Sequence, residues 1–108
     1  MADVLVEENF ARIDGEDMHR FLDMFNRLGI HAEPTGPRAH QRGHRWVLSL
    51  HWLRPGEVPQ AVGDLLSQVM AEVRQYLIAL GKLPPVRLDL FGPGEEVLLS
   101  VEPQGEPV

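Results

Sequence analysis

Apolar positions along this chain change their spacing several times, and each change marks an element. Residues 2–10 alternate loosely, with Val4 and Val6 on one side and Phe10 beyond, which predicts a short first strand. The next stretch switches to helical spacing, with Met18, Phe21, Leu22, Phe25 and Leu28 on one face. Its start is written in Asp14, a capping residue, with Asp17 three positions later beside the positive end of the helix dipole. Ile13 and Met18 stand at the two hydrophobic-staple positions, and Gly29 supplies the left-handed stop. Residues 33–44 lose all apolar periodicity and contain two prolines and two glycines, which predicts a long loop or mobile excursion.

The clearest strand follows. Trp46, Leu48, Leu50 and Trp52 share one face, while Arg45, Val47, Ser49, His51 and Leu53 share the other, and Arg54-Pro55-Gly56 ends it. A second helix is expected from Pro59 to Leu80, about 30 Å long, with Gly81 as its stop. Its stripe runs Val62, Leu66, Val69, Val73, Tyr76 and Leu80, widened by Leu65, Met70 and Leu77. After Pro84-Pro85, the segments Val86–Phe91 and Glu96–Val101, joined through Gly92-Pro93-Gly94-Glu95, read as a β-hairpin. The order β-α-β-α-β-β predicts an α/β (α+β) two-layer sandwich, with a four-stranded mixed sheet carrying both helices on one face. Helical connections favour parallel neighbours, and the closing pair must be antiparallel. A single domain is expected over 1–102, with a disordered tail over 103–108. The second sheet face would carry Arg45, Ser49, His51, Arg87, Asp89, Ser100 and Glu102, interspersed with Val47, Phe91 and Leu98, either solvated or meeting a partner.

Composition narrows the picture. The 108 residues, 44% hydrophobic and 24% charged, suit one ordinary globular domain. The absence of cysteine removes disulfides, thiolate nucleophiles and cysteine-based zinc sites. The first ten residues show neither a basic segment nor a long apolar run, and the longest apolar stretch is broken by Glu72, Arg74 and Gln75. No signal peptide and no membrane span are therefore expected, and a cytoplasmic location fits. A net charge of −6 argues against nucleic acid as the default partner and suits a basic protein surface.

Candidate chemistry is thin. Five histidines raise the question of a metal, yet His40 and His44, four apart, lie in a segment that Gly43 and the lost periodicity make unsuited to a helix. Neither a metal site nor a cofactor is expected. Ser49 and His51 share a strand face that Asp89 could join, but no Gly-x-Ser-x-Gly turn or oxyanion loop accompanies them. Paired carboxylates at Glu7-Glu8, Glu16-Asp17 and Glu95-Glu96 fall at element ends, where they are expected to be solvated or to cap helices. The stripe of the second helix serves either the core or a dimer seam.

The run Leu53-Arg54-Pro55-Gly56-Glu57-Val58, the helix start Ala61-Val62-Gly63-Asp64-Leu65-Leu66, the long helix and the closing hairpin resemble the effector-associated constant component domains of actinobacterial conflict systems. The resemblance covers roughly residues 46–102. The chain departs from it in a longer loop before Trp46 and in a final turn through Gly-Pro-Gly-Glu. It implies an adaptor that couples effector and sensor proteins, with no catalytic residues to carry over. A non-enzymatic protein-interaction module is therefore expected, with Arg38, Arg42, Arg45, His51, Arg87 and Asp89 as candidate partner contacts and a homodimer as one assembly. The alternatives are an acidic immunity- or chaperone-like protein masking a basic partner, and a small-molecule binder or enzyme using the Ser49, His51 and Asp89 face.

Overall fold

The computed structural model describes residues 1–10, 13–36 and 44–103. Within these residues seven elements follow in order: β1 (Val4–Val6), α1 (Gly15–Arg27), β2 (Ala32–Pro34), β3 (Val47–Trp52), α2 (Gln60–Ala79), β4 (Arg87–Phe91) and β5 (Val97–Val101). They build a mixed α+β domain in which two helices accompany one five-stranded sheet, ordered β2-β1-β3-β4-β5.

The start of α1 and the ends of both helices fall where their capping chemistry dictates, while α2 starts after Pro59 with no side-chain cap. The Asp14 carboxylate accepts the Asp17 amide at 2.9 Å, satisfying one of the orphan donors of the α1 first turn. At the other end Gly29, with φ 87°, donates to the Asn26 carbonyl while Ile30 donates to Phe25. Gly81, with φ 73°, closes α2 the same way, through Gly81 to Ile78 and Lys82 to Leu77. These are paired Schellman bonds, and the left-handed residue they need is glycine in both cases.

The fifth strand is a correction to the expected four. Ala32–Pro34 lies beside β1 in parallel, with Val4 opposite Ala32 and Val6 opposite Pro34. Only three residues long and ending in proline, it carries no alternation to announce it, and proline is tolerated because the strand is an edge. This strand, and not β3, is the parallel neighbour that α1 delivers to β1; β3 meets β1 antiparallel. The crossover through α2 does give the expected parallel β3–β4 pair, and β4–β5 is the expected antiparallel hairpin. Glu95, at φ 65°, closes its turn.

One core forms between the helices and the sheet. Val4 and Val6, Leu48, Leu50 and Trp52, Leu88 and Leu90, and Val101 face it from four strands. Phe21 and Phe25 of α1 and Leu66, Val69, Val73 and Leu77 of α2 fill it from above. The α2 stripe therefore belongs to the core. Two expected core positions fall outside. Trp46 sits in the turn one residue before the ladder starts and is 36% exposed, while its neighbours Leu48 and Leu50 are fully buried. Leu80 lies at the helix cap and is half-exposed.

Candidate functional site

Strand alternation sends one set of side chains to the face away from the helices, and register aligns them into two rows. Glu7 follows β1, donating its amide to the Ser49 carbonyl at 2.9 Å; Ser49 stands opposite Asp89, and Asp89 opposite Ser100. In the neighbouring row Leu5, His51 and Phe91 are successive partners.

This polar face is far less solvated than its composition suggests. Glu7, Ser49 and Asp89 are buried, together with Val47 and Phe91. The polar atoms of the face are bound to one another. His51 Nε2 meets Glu7 Oε2 at 2.5 Å, and the imidazole stacks on Phe91 with centroids 5.5 Å apart. Asp89 accepts from Arg87 Nε at 3.0 and 3.2 Å and from the Ser100 hydroxyl at 2.8 Å. The Ser49 hydroxyl donates to its own strand, at the Val47 carbonyl. A serine turned to the backbone beside a histidine committed to a glutamate does not form a nucleophile–base pair.

A second cluster joins the helices. Asp17, buried in the first turn of α1, accepts from Tyr76 Oη at 2.8 Å and from Lys82 Nζ at 2.5 Å. Tyr76 comes from α2, where its ring meets Phe21 edge-on, and the Gly81 cap sets Lys82 in place. Burial alone pushes the Asp17 carboxyl up, but the bonds from Lys82 and Tyr76, the Lys82 charge and a backbone bond with Asp14 outweigh it, and the net shift is down. The bond to Asp17 pushes both Tyr76 and Lys82 up from their usual values, against the pull of burial on the lysine. Each group is fixed in its ordinary protonation state, the reverse of what an acid–base catalyst needs. The trio is a clamp between the helices.

Asp17→Ala is expected to lose about 2 kcal/mol at pH 7, because two charge-assisted bonds to a buried acceptor disappear. The folded Asp17 value lies below the unfolded one, so this contribution is complete above the ordinary carboxyl value and fades as pH falls through the folded value. Urea unfolding at pH 7 and at about pH 2 should show the gap between wild type and variant narrowing in acid. A gap independent of pH would contradict the clamp.

Of the six sequence-based contact candidates, Arg38 and Arg42 lie outside the described residues, as does His40. Arg45 is exposed in the turn before β3, Arg87 and His51 are partly buried, and Asp89 is buried within its own network. Among the described residues no three His, Asp or Glu side chains gather as metal ligands, and no helix is long and apolar enough to cross a membrane.

Sequence reasoning passed over the free edge of the sheet. Among the described residues β5 pairs with β4 alone, and Val97 and Leu98 are 53% and 40% exposed. A groove of ≈ 370 Å³ runs beside it against the start of α2, lined by Val58, Gly63, Ser67, Leu99 and Val101 and flanked by Asp64 and Glu102. The signal was present in Val97-Leu98-Leu99, three consecutive apolar residues where strict alternation would supply two. Comparison with protein-family models, curated proteins and solved structures found no match.

Proposed function

We propose that this chain is a non-enzymatic protein-interaction module, an adaptor or regulatory subunit of the kind its resemblance to the effector-associated domains implies. One contrast carries the reading. The side chains most suited to chemistry, Ser49, His51 and Asp89, are spent on bonds within the sheet. Large apolar side chains meanwhile stand in water at Val97 and Leu98 on β5, and at Ile78, Leu83 and Val86 around the end of α2 and the entry to β4. Isolated exposed apolar residues are ordinary, but a strand edge that carries them beside a groove, and that is unpaired among the described residues, is a surface suited to another chain.

The test is purification of the tagged chain from its native cells at low and high salt, with its mass in solution measured alongside. A stoichiometric protein partner, lost progressively as salt rises, agrees with an acidic module. A chain that stays alone and turns over a small-molecule substrate, with turnover lost in Ser49→Ala, would overturn the reading.

A further inference from the structure

The two edges of the sheet are built differently. β2 is three residues long, carries the charged Glu33 and ends in Pro34, all devices that stop an edge from recruiting another strand. β5 is five residues long, Val-Leu-Leu-Ser-Val, and holds neither charge nor proline. In an antiparallel pair every second residue turns its N–H and C=O away from the partner strand, so β5 presents a row of such groups on its side away from β4.

Charge then selects what can add there. Glu95 and Glu96 precede β5, and Glu102 follows it. Among the described residues the groove beside it is lined by two charged side chains, Asp64 and Glu102, both acidic. A second copy would pair β5 with itself, and the antiparallel registers that keep the five residues paired set Glu95 or Glu96 against the other copy's Glu102. Like charges directly opposite one another destabilise a strand pair. Arginine or lysine at the two ends of an incoming strand would instead be opposed by carboxylates at both.

From these features we infer that β5 is a docking edge for an extended segment of a partner protein, with alternating apolar side chains between basic ends, which adds as a sixth strand and lays one face over the groove against α2. The inference rests on the interaction-module reading and names its site and the chemistry of its partner.

The probe is a nine-residue peptide alternating Val and Thr between Lys-Arg ends, titrated into the isotope-labelled full chain by NMR. Saturable shifts are expected along β5 and the first half of α2, with slowed exchange of alternate β5 amides. The same peptide with Glu-Glu ends should bind on the order of tenfold more weakly, since each opposed charge pair contributes up to a factor of about five. Glu96→Lys with Glu102→Lys should reverse that preference. Val97→Lys alters an exposed position and should weaken binding while leaving the spectrum of the folded core intact.

Binding blind to the peptide's end charges overturns the partner assignment. So does a chain that sediments as a dimer and is made monomeric by Val97→Lys, which would give the edge to a second copy. If neither peptide shifts β5 while a native partner co-purifies, the docking edge is wrong and the module reading survives. If no partner co-purifies either, both fail.

Discussion

Replacing His51 with alanine is expected to cost about 2–3 kcal/mol of folding stability, because the buried Glu7 carboxylate loses its imidazole partner. Glu7 is fully buried, and His51 Nε2 lies 2.5 Å from its Oε2. Removing a donor from a fully buried carboxylate costs more than losing the same bond at the surface, because the lost bond is not replaced by water. The stack on Phe91 also disappears in His51→Ala, and His51→Phe separates the two effects by keeping the ring while deleting the nitrogen. Urea unfolding should place His51→Phe close to His51→Ala if the pairing with Glu7 dominates. Variants within about 0.5 kcal/mol of wild type would mean that the pair contributes little.

Leu50→Ala is expected to have the larger effect, about 3–4 kcal/mol. Leu50 sits at the centre of the sheet, opposite Val6 on β1 and Leu90 on β4, and is fully buried beneath the helices. Truncating it opens a cavity that three paired strands cannot close. Leu53, of the same chemistry three residues on, is half-exposed beyond the end of β3, and Leu53→Ala should stay within about 0.5 kcal/mol. The contrast tests the register directly, since a one-residue slip would send Ser49 and His51 inward and Leu50 out. Equal losses at the two positions would contradict the strand pairing.

Local signals carried most of the architecture. Asp14, Gly29 and Gly81 act through backbone geometry within a few residues, so their caps are legible from the chain alone. The strong alternation of β3 and the Gly-Pro-Gly turn before β5 are equally local. What escaped depends on distant pairing. Ala32–Pro34 becomes a strand only because Val4–Val6 lies alongside it, and no three-residue pattern announces that. Trp46 continues the alternation of β3 but precedes its first paired residue, so periodicity places it inside and the turn leaves it half out.

The carboxylates show the same limit more sharply. Glu7 and Asp17, expected among solvated or capping charges at element ends, are both buried. Asp17 does stand at the dipole-favoured position of α1, but its two partners come from 59 and 65 residues away. Glu7 continues the alternation of β1 past its end, and His51, which it meets, is 44 residues away, on a strand whose adjacency the sequence left open. The Ser49, His51 and Asp89 face was legible as a group. Its occupation by internal bonds was not, because Glu7 and Ser100 complete it from other strands.

We propose that this chain acts by holding another protein at the edge of its sheet. Photo-crosslinking in native cells tests this, with a photoreactive residue at Val97 and, as the control, at the exposed Asp23 on α1. One protein adduct is expected from position 97, formed through a segment with basic ends, and none of comparable yield from position 23. Adducts from position 23 alone, or none from position 97 when the chain is folded and present at its native level, would contradict it.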